Sequence, residues 1–251
     1  MRSTYFDPPG PRVLAHRGLA IEAPENTLLA FERAIAVGAS YLETDVHVSA
    51  DGVAVIAHDP TLERVARRRT AVASLTMAEL AGVDLGSGQG FTTLAEMLHQ
   101  FPETRFNIDV KADAAVDAAV DAIERTGAHA RVLLTSFSDR RRHRIAARLP
   151  GVATSAGSSG VLRSRLAAGA RSESLFTRAL GGAAALQVPE RVGRFRVLSP
   201  ALVAAAHRAG IEVHVWTVND VDDMTRLLDL GVDGLVTDRA DLALRLIERR
   251  T

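Results

Sequence analysis

Cysteine is absent from the 251 residues. That excludes disulfides, a thiol nucleophile and any cysteine-ligated metal. Neither sign of charge is in excess, with 30 Lys+Arg against 30 Asp+Glu. No overall basic field exists to recruit nucleic acid or an anionic surface, so any phosphate must be met by a local site. Aromatic residues make up only 4 % of the chain. The basic clusters "RVARRR" and "DRRRHRIAAR" have no interleaved rings to stack bases and read as solvated faces. No stretch approaches the ~20 apolar residues of a membrane span. The opening "MRSTYFDPPGPR" holds no apolar run of signal-peptide length. A cytoplasmic chain without stable membrane insertion or a nucleic-acid partner is therefore expected. A glycine-rich dinucleotide loop is also missing, which disfavours an open doubly wound sheet, and the missing G-x-S-x-G elbow argues against acyl transfer.

What is present is rhythm. Hydrophobic residues reach 47 %, enough for a sizeable core. Short apolar runs cover residues 12–15, 40–46, 104–110, 130–136, 152–155, 184–187, 212–217 and 234–237. Helical patterns lie between most of them, at 27–37, 113–126, 138–149, 200–209, 221–230 and 240–248. Several stop at glycine, at Gly38, Gly127, Gly210 and Gly231, as helix C-termini do. Eight strand–helix units predict an α/β fold, a (β/α)8 TIM barrel, as one domain over residues 1–251. The run at 52–59 follows the second strand across an Asp51-Gly52 turn signal and reads as an antiparallel excursion. Residues 59–101 are expected to form a small insertion over the barrel, and 157–182 irregular helix and loop.

The unusual polar residues fall where these runs end. In such a barrel that is the catalytic face. His16 and Arg17 close the first run. "YLETDVHV" places Glu43 and Asp45 two apart, on one strand face. "FNIDVKAD" does the same with Asp109 and Lys111. Three inward carboxylates repel one another unless a proton or a cation sits among them, and their oxygens suit Mg²⁺ or Ca²⁺. His58 ends the excursion. Two histidines, an arginine and a lysine beside such a cation would suit phosphoryl chemistry, with proton transfer to and from the two oxygens that exchange at phosphorus. Glu25 and Asn26 read as supports, Asn26 or Thr27 as a helix cap, and His47 as structural.

The blocks "AHRG", "PENTLLAF", "LETDVHVSADGVAVIAHDPTLERV", "SLTMAEL", "TTLAEML", "NIDVK", "TSFS", "VWTVND" and "GVDGLVTDRAD" run in order through nearly the whole chain. They resemble the glycerophosphodiester phosphodiesterases. That resemblance implies His16 and His58 as the general acid/base pair. It implies Glu43, Asp45 and Asp109 as ligands of one divalent cation, Mg²⁺ or Ca²⁺, and Arg17 and Lys111 as phosphate contacts. Trp216 would wall the substrate pocket. The implied reaction splits a small glycerophosphodiester into sn-glycerol 3-phosphate and an alcohol, and which histidine is the base is left open. A lysophospholipase D-like or other lipid head-group phosphodiesterase is the alternative, and it would need an apolar lip. Two departures stand out. The third carboxylate is more often Glu in the family than Asp, and "RVARRRTAVAS" lacks the usual Thr and Gly. The sequence is silent on oligomeric state.

Overall fold

The strand-like runs pair edge to edge in one direction. In the computed structural model, which describes residues 3–250, β1 (Arg12–His16) lies between β2 (Tyr41–Val48) and β11 (Gly234–Thr237). From β2 the sheet continues through β4 (Arg105–Val110), β5 (Val132–Thr135) and β6 (Ala153–Thr154). From β11 it continues through β10 (Glu212–Trp216) to β7 (Ala185–Pro189). A parallel bridge from Ser155 to Ala185 joins the two ends into a ring. The eight expected strands are thus the eight staves of a TIM barrel. β3 (Ala54–Ile56) is the expected antiparallel excursion, paired to β2 with His47 opposite Val55.

Strand alternation sorts the side chains into two cores. Val13, Ala15, Leu42, Val46, Phe106 and Ile108 face outward against the helices. Leu14, Tyr41, Leu133, Ala185 and Val236 face inward, where the N-terminal Tyr5 and Phe6 plug the floor. The helices follow the predicted boundaries closely. α1 (Leu28–Ala36) is capped by the Thr27 hydroxyl, which accepts from the Ala30 N–H. α5 (Ala115–Thr126), α6 (Asp139–Arg148), α9 (Pro200–Arg208), α10 (Val221–Asp229) and α11 (Ala240–Glu248) complete most of the outer ring.

Two expectations need correction. The region after β6 is regular, forming α7 (Ser158–Gly169) and α8 (Glu173–Leu180). Its Leu162 and Leu166 project into solvent, so α7 lacks the apolar face that makes a helix legible. A short hairpin unnoticed in the sequence follows β7, with β8 (Arg191–Val192) paired to β9 (Phe195–Arg196). The insertion after β3 is also shorter than residues 59–101. Val55, Leu62, Val72, Leu80, Val83 and Phe91 form its own small core. The helix at Leu94–Gln100 buries Leu94, Met97 and Leu98 in the main core instead, so it is the barrel helix between β2 and β4.

The floor holds a buried charge. Arg12 makes two bonds of 2.7 Å to the Glu212 carboxylate, and its other donors reach the Tyr41 hydroxyl and the Phe6 carbonyl. His214 donates to Glu212 at 3.0 Å and accepts from Gln187 at 3.2 Å. Burial opposes ionisation of Glu212, but the bonds from His214 and Arg12 outweigh it and hold the pKa at about 2, below the ordinary 4.5. A carboxylate held low stabilises the fold above its ordinary pKa, and that contribution is lost as pH falls toward 2. Glu212→Gln should leave Arg12 buried without its counter-charge. It should cost about 3 kcal/mol and lower Tm by about 10 °C at pH 7. The gap to wild type should narrow on acidification below pH ~4.5, the ordinary carboxyl value. An unchanged Tm, or a gap that does not vary with pH, would contradict this account of the floor.

Candidate active site

The catalytic face begins with a backbone that turns sharply. β1 ends at His16, and the chain then enters the left-handed region at Arg17 (φ 56°) and Gly18 (φ 85°). A Cβ on Gly18 would lie 2.6 Å from the Ala30 carbonyl carbon, so only glycine fits against α1. The turn aims His16 and Arg17 across the barrel mouth. Parallel pairing supplies the neighbours: His16 lies beside Glu43, Glu43 beside Asn107, and Asp45 beside Asp109.

Each candidate histidine is held at Nδ1 by a carboxylate. His16 Nδ1 is 2.7 Å from Asp238, which also accepts from the Asn219 amide at 2.7 Å. His58 Nδ1 is 2.8 Å from Asp59, itself held at 2.5 Å by Arg64. The carboxylate keeps the proton on Nδ1 and leaves Nε2 as the atom that can accept or give one. His16 Nε2 has Glu43 at 3.9 Å. His47 donates to the His58 carbonyl at 3.2 Å, so the expected structural histidine steadies the second candidate.

The carboxylates are crowded and unequal. Asp45 receives Lys111 at 2.7 Å, the Asn26 amide at 3.0 Å and Arg17 Nε at 3.3 Å. Burial raises its pKa, but Lys111, Arg17 and Asn26 outweigh that and lower it. Among the described residues the Glu43 carboxylate accepts one hydrogen bond, from the Arg17 backbone N–H at 3.1 Å. Burial and the Asp45 charge push it up to about 8, against the pull of His16 and Lys111. Burial also raises Asp109, opposed by its 2.6 Å bond from Lys111. Among the described residues the buried Asp109 Oδ1 and Asn107 Oδ1 find no hydrogen-bond partner.

These residues share one cavity of about 750 Å³, which His16, Arg17, Glu43, Asp45, His58, Asp109, Lys111 and Trp216 all line. All eight candidate site residues therefore meet in one place. The Lys111 ammonium bridges Asp45 and Asp109, the charge-compensating position. With the side chains so placed, no three of His, Asp and Glu converge on one ion position among the described residues. Trp216 packs edge-on against Phe137, 5.8 Å between ring centres, and forms part of the outer wall. Asn26 does not cap α1. It accepts from Thr44 at 2.8 Å and donates to Asp45. Glu25 braces Arg17 at 2.9 Å and meets Arg64 at 2.6 Å.

Sequence reasoning missed Asp238, Asn219 and Arg64. Asp238 follows the last barrel strand, where the same rule that found His16 applies, and "VTDRAD" carried it unremarked. Burial lowers the His16 pKa, but the Asp238 bond and the Glu43 charge outweigh it and raise it above the ordinary 6.5. Asp238→Asn removes one of those supports, so the His16 titration followed by NMR should move to lower pH. A midpoint at or above the wild-type value would contradict the Asp238 assignment.

The Glycerophosphoryl diester phosphodiesterase family model matches residues 16–242, beginning at His16. A probable glycerophosphodiester phosphodiesterase 2 of Mycobacterium tuberculosis is 42 % identical over 231 residues, 91 % of this chain and 88 % of that protein. A glycerophosphodiester phosphodiesterase of Caldanaerobacter subterraneus is 27 % identical, with 94 % and 98 % of the two chains covered. The barrel superposes on an Oleispira antarctica phosphodiesterase, solved in complex with the product sn-glycerol-3-phosphate, with a TM-score of 0.80. That likeness covers 95 % of this chain and 97 % of the other at 24 % identity. The chain belongs to the glycerophosphoryl diester phosphodiesterase family and is an enzyme, a phosphoric diester hydrolase.

Proposed function

We propose that this cavity hydrolyses glycerophosphodiesters to sn-glycerol 3-phosphate and a free alcohol, with His16 and His58 as its general acid/base pair. One observation carries the reading. Two histidines, each with Nδ1 held by an aspartate, line a single cavity together with two cations, Arg17 and Lys111. The product bound by the Oleispira antarctica relative supports the same substrate class.

The residues also fit one divalent cation, Mg²⁺ or Ca²⁺. Glu43, Asp45 and Asp109 are hard oxygen donors on adjacent strands. Burial and the Asp45 charge raise Glu43 to about 8, and among the described residues one buried Asp109 oxygen has no hydrogen-bond partner. Both features suit a site short of positive charge. When bound, the cation would supply Lewis-acid polarisation of a phosphoryl oxygen. Those three carboxylates would hold it.

The chain's own groups then divide the work. Arg17, braced by Glu25, pairs with the phosphate oxygens, and Lys111 offers a second positive charge. One histidine Nε2 takes a proton from the attacking oxygen, which is water or the glycerol 2-hydroxyl in a cyclic-phosphate route. The other gives a proton to the departing alcohol. Asp238 and Asp59 stabilise whichever imidazolium forms. Water is consumed, and phosphorus keeps the glycerol ester.

A second reading is favoured by the cavity wall. Phe137, Val161, Leu162, Leu166 and Val192 give it an apolar side, the lip that a lysophospholipid substrate would need. Lysophosphatidylcholine and glycerophosphocholine assayed side by side distinguish the two. His16→Ala and His58→Ala should each reduce sn-glycerol 3-phosphate release from glycerophosphocholine by at least about a hundredfold, with Tm held within a few degrees. Near-wild-type release by either folded variant would sink that histidine's role.

A further inference from the structure

The cavity mouth is not rimmed as a water-facing surface would be. On one side α7 exposes Leu162 (60 %) and Leu166 (64 %), one helical turn apart. Beside it the β8–β9 hairpin exposes Val192 (61 %) and Phe195 (80 %). These two are register partners, so they project from one face of the hairpin. Arg165 Nε donates to the Arg196 carbonyl at 2.9 Å and ties hairpin to helix. All four apolar residues line the mouth of the cavity. A contiguous exposed patch of large side chains marks an interaction surface.

Charge says what kind. Residues 157–197 contain seven arginines and only two acids, Glu173 and Glu190. Both acids pair with arginines from outside the segment, Arg208 and Arg226. Among the described residues, Arg163, Arg165, Arg191, Arg194 and Arg196 have no carboxylate partner. Arg163 and Arg165 spend their bonds on neutral oxygens. By contrast the arginines of α6 have carboxylate partners: Arg141 meets Asp113 at 2.9 Å and Arg148 meets Asp117 at 2.8 Å. Because the chain as a whole is balanced, this face is basic and the remainder carries the acidic excess.

We infer that the rim formed by α7 and the β8–β9 hairpin docks the enzyme on an anionic lipid bilayer. The apolar tips would enter the head-group boundary while the arginines stay at phosphate level. In "RVGRFR" the two kinds of residue interleave within six positions. Continuity with the cavity favours a bilayer over a protein partner. A protein seated here would close the entrance, whereas a membrane presents phosphodiester lipids to it. No helix in the described residues is long and apolar enough to span a membrane, so attachment would be peripheral and salt-sensitive.

The test is co-sedimentation of the whole chain with phosphatidylcholine vesicles, with and without one-third phosphatidylglycerol. Binding needs no turnover, so its failure is separable from failure of the proposed chemistry. Wild type should sediment with the anionic vesicles, weakly or not at all with neutral ones, and be released by high salt. Each basic residue at an anionic surface strengthens binding by roughly fivefold. The double variant R191E/R194E should therefore bind at least about tenfold more weakly, while hydrolysing glycerophosphocholine at the wild-type rate. L166S/F195S should lose binding with its arginines intact, and its thermal unfolding should match wild type. Absence of anionic-vesicle binding at low salt would overturn the inference, as would binding that neither variant weakens. A rim-dependent dimer in solution without vesicle binding would overturn it too, in favour of self-association.

Discussion

Crowding of buried carboxylates is the constraint on which the rest of the site depends. Pairing of β2 with β4 sets Asp45 beside Asp109, and Glu43 follows on the same face as Asp45. Three acids taken from water into so small a space cannot all stay ionised unaided. Lys111 reaches two of them, Arg17 and Asn26 steady Asp45, and burial with the Asp45 charge pushes Glu43 up to about 8. The same electrostatic imbalance explains why Lys111 and Arg17 are fixed against the carboxylates, and it is the ground on which a cation is proposed there.

The barrel keeps this chemistry away from its structural charges. Arg12, Glu212 and His214 are bound to one another at the floor, beneath the apolar layer of Leu14, Leu133, Ala185 and Val236. Gln187 links the two levels, bonded to His214 below and lining the cavity above. At the rim, His58 is steadied by its neighbour Asp59, whereas His16 is steadied from a loop distant in sequence. His16 and Asp238 are 222 positions apart and meet only because the first and last strands are neighbours. Closing the ring is what brings Asp238 to His16.

Much of this was legible from residues alone. Short apolar runs set between helical patterns mark the eight strands. The two-residue spacing of Glu43–Asp45 and Asp109–Lys111 placed them on the inner face before any coordinates. Partnerships were harder to read. Asn26 looked like a cap because asparagine often is one, but the Thr27 hydroxyl takes that role and frees Asn26 for Asp45. Asp238 gave no local signal, since its partner is at the other end of the chain. Leu94–Gln100 was assigned to the insertion because it follows a stretch without strong strands; only its burial in the main core shows that it belongs to the barrel. The regularity of α7 and the presence of the hairpin are hidden because their apolar residues point outward, against the pattern that identifies buried elements.

The most direct test of the central claim is cation binding by the EDTA-stripped protein, followed by calorimetry and by thermal unfolding. If the crowded carboxylates are a cation seat, Mg²⁺ or Ca²⁺ should bind at one site per chain and raise Tm, and sn-glycerol 3-phosphate release should return with it. Asp109→Asn should lose both the binding and the Tm rise. A stripped wild-type protein that binds neither ion, or that hydrolyses glycerophosphocholine undiminished in EDTA, would contradict the account.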